Sequence, residues 1–312
     1  MLHFKKIVFM LRLRNLIGLG IILLGGFLVY YLFIKSYDYQ ITFNAKTSPG
    51  TIFYAIRDWE ETLERRKEIT IIGSEGKHFS HIDQNLKIGD SIVSWNWRLK
   101  SVNDSVSNIR VRIKDLENSV ATRVKNIFKK PPLERILISK VSNFKKGLDD
   151  HLKTYDVKII GEDTIPKKFY AYMEIKSSLA GKARNMIANN GRIVEWLRQN
   201  EFELMGKPTM EVTHWDLERD SITFNFMFPV NEREDLPKDS LMKFKEYPSR
   251  MGIKAIYHGG YRTSDRAWFA LYEYAQRHQF PVKAAPIEFF YNNPMNGGNK
   301  REWKAEVFMP LQ

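Results

Sequence analysis

The reactive residue types in the sequence, and their spacing, exclude several kinds of functional site. The chain contains no cysteine, which excludes disulfides, thiolate zinc sites, iron–sulfur clusters and cysteine nucleophiles. The histidines are scattered, and none has a metal-ligand spacing such as HExxH; they include His78, His81, His151, His214, His258 and His278. GxSxG, Walker and dinucleotide-binding motifs do not occur either. The sequence therefore predicts no metal site and no cofactor.

One acidic residue near the C-terminus, Glu306, lies in an alternating stretch that is typical of a strand. Alternation would place two sets of side chains on opposite faces: Trp303, Ala305, Val307 and Met309 on one, and Lys304, Glu306 and Phe308 on the other. A carboxylate in such a position is usually exposed to solvent, and the alternative is a role in ligand binding. The same choice, between core packing and a pocket, applies to the aromatic side chains of Tyr261, Trp268, Tyr291 and Trp303.

The C-terminal half of the sequence contains an internal repeat. The segment FMFPV at 226–230 aligns with VFMPL at 307–311. Each half of the repeat predicts a strand, a helix and then two strands joined by a hairpin. The two predicted helices run over Ala180–Asn200 and Ser264–His278.

This duplicated strand-helix-strand-strand unit resembles the GyrI-like small-molecule-binding domain, which also forms the effector-binding part of many bacterial transcription activators. Three features carry the resemblance: the loop at 258–261 (HGGY), the turn at 291–294 (YNNP), and Glu306 placed four residues before Pro310. The resemblance predicts a GyrI-like domain with two pseudo-symmetric halves. We assign it to residues 155–312, with halves at about 155–230 and 243–312.

The resemblance implies a channel between the two halves, lined by aromatic rings and with an acidic side chain at its base. The matching acid is Glu306, and the implied ring positions are Tyr261, Trp268, Tyr291 and Trp303. Rings supply stacking and cation–π attraction, and a desolvated carboxylate supplies a counter-charge. The implied ligand is therefore a lipophilic small molecule. The ligand could carry a positive charge, because the acid would supply the counter-charge.

Two other functions stay open for this part of the chain. Some GyrI-like proteins are hydrolases, and the resemblance would then make Glu306 and Tyr261 an acid/base pair. The other alternative is a structural or interaction protein with degenerate pockets and another protein as its partner. Because no helix-turn-helix precedes the GyrI-like half, we do not expect the transcription-activator role. Small-molecule binding without catalysis is the first expectation.

Residues 37–154 predict a different unit. The alternating segment Tyr39–Ala45 indicates a strand, and Pro49 lies near the first turn of a helix. Turn signals then separate several strand candidates: Ile69–Gly73, His81–Leu86, Ser91–Lys100, Ser107–Leu116 and Ala121–Phe128. The segment Lys129–Pro132 breaks the pattern, and a long amphipathic helix is predicted from Leu133 to about Tyr155.

This order of elements resembles the helix-grip fold of the SRPBCC (START-like, polyketide-cyclase-like) superfamily. The resemblance implies an antiparallel sheet that, with the long C-terminal helix, encloses an apolar cavity. A structural spacer is the alternative, because the charged segment EETLERRKE at 60–68 stands where the superfamily is rich in tryptophan. The fold class expected for the whole chain is therefore α+β.

An uncharged, apolar segment precedes these two units. Leu16–Ile34 contains no charged residue, and its 19 residues would span roughly 28 Å as a helix, against about 30 Å for a bilayer core. Tyr30 and Tyr31 lie where aromatic rings favour the membrane interface. The alternative is a cleaved signal peptide, but the apolar run is long and no small-x-small cleavage site follows it. We therefore expect a transmembrane helix.

Charge predicts the orientation of that helix. Residues 1–15 form a basic tail with Lys5, Lys6, Arg12 and Arg14 and no acid, and the positive-inside rule places such a tail in the cytoplasm. The soluble units would then be periplasmic, at the inner membrane, if the bacterial origin inferred from the resemblances holds. The net charge is +13, but basic and acidic residues mostly alternate, which favours contact with anionic lipid over nucleic-acid binding.

Overall fold

The structure is a computed structural model that describes residues 2–128, 132–217 and 219–312. The chain is an α+β protein with two antiparallel sheets, one of five strands and one of eight. Helix α1 spans Leu2–Val29 and continues as a π-helical turn at Tyr30–Ile34. Its segment Arg14–Ile34 has a mean hydropathy of 2.4, and none of the segment is buried inside the protein. It is long and apolar enough to cross a membrane, as a signal sequence also would be.

The five-stranded sheet forms the N-terminal unit. Its strands are β1 (Tyr39–Ala45), β2 (Thr70–Lys77), β3 (His81–Ile88), β4 (Ser91–Asn103) and β5 (Val106–Asp115), in the order β1-β5-β4-β3-β2. Helix α2 (Pro49–Arg65) follows β1, and α3 (Ser119–Phe128) and α4 (Pro132–Leu152) follow β5. The bounds of β1 agree with the sequence prediction.

Aromatic rings occupy the space between this sheet and its helices. Trp95 and Trp97 on β4 are fully buried, and Phe144 on α4 lies 5.3 Å from Trp97, ring centre to ring centre. Trp59 on α2 lies 5.2 Å from Phe144. These rings fill the region where a helix-grip protein would have its cavity, and the START-like assignment stays a prediction.

The predicted strand Ala121–Phe128 is wrong, because this segment belongs to helix α3. Its β-branched residues favour a strand locally, but side-chain contacts fix the start of a helix. The Asp115 carboxylate accepts hydrogen bonds from the backbone amides of Glu117 and Asn118, at 3.1 and 2.9 Å. The Ser119 hydroxyl donates to Asp38, 2.7 Å away. The predicted break at Lys129–Pro132 falls largely on residues 129–131, which lie outside the described residues.

The eight-stranded sheet belongs to the C-terminal unit. Its strands are β6 (Asp156–Ile165), β7 (Lys168–Ser178), β8 (Thr209–Asp216), β9 (Ser221–Pro229), β10 (Met242–Tyr247), β11 (Arg250–His258), β12 (Ile287–Phe290) and β13 (Lys304–Pro310). Helix α5 (Lys182–Gln199) follows β7, and α6 (Asp265–His278) follows β11. The sheet order is β10-β7-β9-β8-β12-β13-β11-β6. The order β7-β9-β8 is thus mirrored by β11-β13-β12, and the two halves meet where β8 pairs with β12.

The two units share one continuous hydrophobic core. Helix α2 of the N-terminal unit packs on α6, where the ring of Tyr54 stacks on Phe269 at 5.0 Å. Phe79, between β2 and β3, lies 5.8 Å from Tyr272 on α6 and 6.3 Å from Trp215 on β8. Gly50 allows the close approach, because a Cβ atom there would lie 2.8 Å from the Phe269 side chain.

Candidate functional site

A cavity of about 350 Å³ lies between α5 and the loop that follows β12. It brings together apolar side chains from both halves of the eight-stranded sheet. Helix α5 and β9 supply Ala183, Met186, Ile187, Asn190, Val194, Phe226 and Phe228, and the second half supplies Tyr261, Phe290, Tyr291, Asn292, Asn293, Pro294 and Met295. The segment between α5 and β8 adds Leu204, Gly206, Lys207 and Pro208. Such a lining suits an apolar molecule with few polar groups.

Periodicity explains how the chain presents these residues. Met186, Asn190 and Val194 recur at helical spacing on one face of α5. Phe226 and Phe228 lie two residues apart on β9, so both rings point to the same face of the sheet, and they pack edge to face at 4.9 Å. The cavity therefore has a helical wall and an aromatic floor.

Tyr261 shapes the opposite wall. Its hydroxyl donates a hydrogen bond to the carbonyl of Lys304 at 2.8 Å and accepts one from the backbone amide of Asn292 at 2.9 Å. Burial raises the pKa of Tyr261 to about 12, so the hydroxyl stays protonated near neutral pH. Its ring lies 4.8 Å from Phe290. Tyr261 thus holds the loop after β12 in place while contributing a ring to the cavity.

Tyr291 lines the same cavity and is partly exposed. Two ammonium groups approach its ring, Lys304 at 4.4 Å and Lys207 at 5.8 Å. Burial, and after it the nearby Glu306 carboxylate, raise the pKa of Tyr291. Tyr291 therefore lies between the cavity and a cluster of charged side chains.

The structure places the two predicted tryptophans away from the cavity. Trp268 on α6 is fully buried, and its indole nitrogen donates to the carboxylate of Glu288. Trp303 is also buried and packs against Tyr261 at 5.5 Å, and it is not among the residues that line the cavity. Of the predicted ring positions, the cavity thus contains Tyr261 and Tyr291.

Glu306 lies on the other face of the sheet from α6. Ala305 and Val307 point into the main core, and strand alternation turns Glu306 the opposite way. Its carboxylate pairs with Lys304 at 2.8 Å and with Lys254 at 3.1 Å. Burial opposes ionisation, but the two lysines prevail and lower the pKa of Glu306. The predicted channel with Glu306 at its base and Trp268 in its wall is therefore not assembled.

The geometry also bears on the predicted acid/base pair. Tyr261 and Glu306 each have other hydrogen-bond partners, and no hydrogen bond joins them. Because a general base must reach the proton that it removes, this arrangement does not prepare the pair for catalysis.

A buried ionic cluster connects the two halves. Lys182, in the first turn of α5, has no exposed surface, and its ammonium donates to the Ser264 hydroxyl at 2.9 Å. It lies 3.5 Å from the carboxylate of Asp265 at the start of α6. The Ser264 hydroxyl donates to Glu288 on β12 at 2.7 Å. Burial raises the pKa of Glu288, and Lys182 opposes that rise.

Sequence reasoning missed this cluster. The signal for Glu288 was an acid inside the apolar strand PIEFF at 286–290, since an isolated carboxylate in a buried strand requires a partner. The interactions of Glu288 with Lys182 and Ser264 connect α5, α6 and β12. We therefore infer that the cluster holds the two helices in position around the cavity.

An α+β domain with a duplicated sheet and an apolar cavity between a helix and a loop has the architecture of a small-molecule-binding module. Residues 165–312 match the GyrI-like family, described as a small molecule binding domain. This part of the chain is a GyrI-like domain, as the sequence predicted.

Solved structures that resemble this chain cover about half of it. The C-terminal domain of EcmrR is 15% identical, covers 51% of this chain and 98% of that chain, and has a TM-score of 0.43. SAV2435 bound to tetraphenylphosphonium is 11% identical, with coverages of 51% and 93% and a TM-score of 0.33. A hydrolase from Listeria innocua is 12% identical, with coverages of 54% and 98% and a TM-score of 0.33. No curated protein matches the chain.

Proposed function

We propose that this chain is a membrane-anchored small-molecule-binding protein whose GyrI-like domain takes a lipophilic ligand in the cavity between α5 and the loop after β12. The observation that carries the proposal is the apolar and aromatic lining of this cavity. Its volume of about 350 Å³ falls within the range of about 300–1,000 Å³ that is usual for small-molecule sites.

The charges around the cavity favour an uncharged ligand over a cation. Among the described lining residues Lys207 is charged and no carboxylate is present. Glu306 is already paired with two lysines. A lipophilic cation is the second candidate, because Tyr291 both lines the cavity and lies beside Glu306. Movement of this one side chain would open the cavity toward that carboxylate.

We propose binding without catalysis. The Tyr261 hydroxyl is committed to two backbone groups, and the Glu306 carboxylate is committed to two lysines. A hydrolase using Glu306 would have to break these pairs first. If a ligand screen finds no binder, that result would favour an interaction with another protein through a degenerate pocket.

Two features near α1 support the anchor. Arg123 on α3 donates to the backbone carbonyls of Tyr31 and Leu32, at 3.1 and 3.0 Å, and pairs with buried Asp38 at 2.6 Å. This buried pair ties the end of the apolar segment firmly to the N-terminal unit. We propose that α1 crosses the inner membrane with its N-terminus in the cytoplasm, so that residues 36–312 lie in the periplasm.

Helix α3 also presents exposed apolar side chains beside the end of that segment. Val120, Val124 and Ile127 are each at least 40% exposed, and they share one helical face. Exposed apolar residues next to the end of a membrane span suit the lipid–water interface. We therefore propose that α3 rests on the membrane surface.

Native mass spectrometry of the detergent-released full chain tests the ligand class. Triphenylphosphine oxide and methyltriphenylphosphonium have similar shapes, but only the second is charged. We expect a 1:1 complex with the neutral compound, weakened about tenfold (about 1.4 kcal/mol) in Ile187→Asp, because this partly exposed residue lines the cavity. Ile138→Asp is the matched control on α4.

Three results would change the assignment. Binding of the phosphonium alone, with loss in Glu306→Gln, would replace the neutral ligand by a cation. Equal loss in Ile187→Asp and Ile138→Asp would remove the cavity from consideration. Binding of neither compound would favour a protein partner.

A further inference from the structure

A second cavity, of about 410 Å³, lies between α2 and the strands β2 and β3 of the N-terminal unit, and Asp220 of the C-terminal unit also lines it. Its lining contains six carboxylates: Asp58, Glu60, Glu61, Glu64, Glu75 and Asp220. Arg57 is the one arginine or lysine among the lining residues that the structure describes. In a chain with a net charge of +13, this is a local reversal of sign, and it attracts positively charged molecules.

Four buried side-chain oxygens in this cavity have no hydrogen-bond partner, on Tyr54, Glu60, Gln84 and Asp220, and those of Glu60 and Gln84 belong to side chains that contact each other. Glu60 and Gln84 are 2% and 4% exposed, and the Gln84 amide nitrogen donates to one Glu60 oxygen at 2.6 Å. The other Glu60 oxygen and the Gln84 carbonyl oxygen have no partner. Because nearly all buried polar atoms in native proteins are paired, these two acceptors point to a missing donor. A primary ammonium carries three N–H groups and can serve both.

The rest of the lining fits the remainder of an amine. Phe53, Ile71 and Ile82 supply apolar surface, against which methylene groups can pack. Glu61, Glu64 and Glu75 are exposed at the rim and would meet a second positive charge. Among the described residues, no group of three or more His, Asp or Glu side chains is arranged to hold a metal ion, which favours an organic cation.

We infer that this cavity binds a linear polyamine: one terminal ammonium donates hydrogen bonds to Glu60 and Gln84, the methylene chain packs on Phe53 and Ile82, and a second ammonium lies among the rim carboxylates. The site is independent of the GyrI-like cavity, which has different lining residues. It gives the N-terminal unit a binding function of its own.

The ionisation of Glu60 supports this inference and gives it a pH dependence. Burial raises the pKa of Glu60 to about 7, although Gln84 and Arg57 oppose the rise. An ammonium selects the ionised carboxylate and itself stays charged, since its reference pKa is about 10.4. Polyamine binding should therefore be tighter at pH 8 than at pH 6. Other charged or titratable groups line the cavity as well: Tyr54, Arg57, Asp58, Glu61, Glu64, Glu75, His78 and Asp220.

Isothermal titration of the detergent-solubilised full chain with spermidine tests the site. We expect 1:1 binding that weakens from pH 8 to pH 6, in wild type and also in His78→Asn, which lacks the histidine of this cavity. Glu60→Gln should weaken binding at pH 8 by tenfold or more, and the exposed rim variant Glu75→Gln about threefold. Glu306→Gln, which changes a carboxylate in the GyrI-like domain, should leave binding unchanged.

The inference fails if spermidine does not bind, or if it binds wild type and Glu60→Gln equally. A loss in Glu306→Gln that matches the loss in Glu60→Gln would also overturn it, because the amine would then be in the GyrI-like domain. If Glu60→Gln does not fold, Glu75→Gln decides, since this exposed residue carries no core contact. Unchanged affinity in Glu75→Gln would then refute the rim contact and the site.

Discussion

The packing of α2 on α6 can be tested with a single methyl group at Gly50. In Gly50→Ala the new Cβ atom would lie 2.8 Å from both Cβ and Cγ of Phe269 and 3.1 Å from Cδ1. Phe269 is 1% exposed and stacks on Tyr54 at 5.0 Å. The ring therefore has no free space to move into, and the two helices must separate slightly.

Two opposing effects set the magnitude. Replacing glycine by alanine in a helix usually stabilises it by about 0.5–1 kcal/mol, because the unfolded chain loses freedom. Overpacking a filled core costs about 1–3 kcal/mol. The clash at Phe269 should prevail, so we expect Gly50→Ala to lower the free energy of unfolding by about 0.5–2 kcal/mol. That corresponds to a fall in Tm of a few degrees, at about 2–4 °C per kcal/mol for a unit of this size.

Gly147 provides the matched control, because it lies within α4 and a methyl group added there would meet no other atom within 4 Å. Gly147→Ala should stabilise the full chain by about 0.4–1 kcal/mol. Thermal and urea unfolding of both variants, followed by circular dichroism, should therefore give shifts of opposite sign. Equal stabilisation by the two substitutions would refute the contact, and with it the single core shared by the two units.

Three further predictions concern the N-terminal unit. The pKa of Glu60, about 7 in the fold, exceeds its unfolded value of about 4.3, so the stability it contributes is complete below pH 4.3 and lost as pH rises through 7. In urea unfolding, wild type should lose about 3 kcal/mol of stability relative to Glu60→Gln between pH 4.3 and 8; parallel pH profiles would contradict this. Arg123→Met leaves buried Asp38 without its cation and should cost about 3–5 kcal/mol; an unchanged Tm would argue against the pair. In lipid vesicles, a Val124→Cys thiol should alkylate several-fold more slowly than a Lys125→Cys thiol, and equal rates would remove α3 from the membrane surface.

Periodicity and turn chemistry were sufficient to predict most of the regular elements. The strand β1 and the helix α6 lie within a residue of their predicted bounds, because their apolar residues recur at clear spacings. The repeat in the C-terminal half also led to the GyrI-like domain. Helix α3 was not predicted in this way, since its start depends on Asp38, 81 residues before Ser119, as well as on the nearby Asp115.

The candidate site shows the same division between local and long-range information. Alternation predicted correctly that Glu306 and Ala305 point to opposite faces of β13, but it could not tell which face meets α6. That depends on how the helices pack, and so does the pairing of Lys182 with Ser264, 82 residues away. The sequence therefore identified the strand of Glu306 and missed Glu288, which points toward the helices.

The two halves of the GyrI-like domain have the same topology but different neighbours, and this difference explains where the cavity lies. The N-terminal unit covers α6 with Tyr54 and Phe79, so aromatic side chains fill the space beside that helix. Ile187 on α5 remains half exposed at the cavity. The second half thus packs against the N-terminal unit, which Arg123 connects to α1. The first half leaves part of its helix α5 exposed at the cavity. Because the same core joins α2 to α6 and the Lys182 cluster joins α6 to α5, buried contacts run without a break from the N-terminal unit to the helix that lines the cavity.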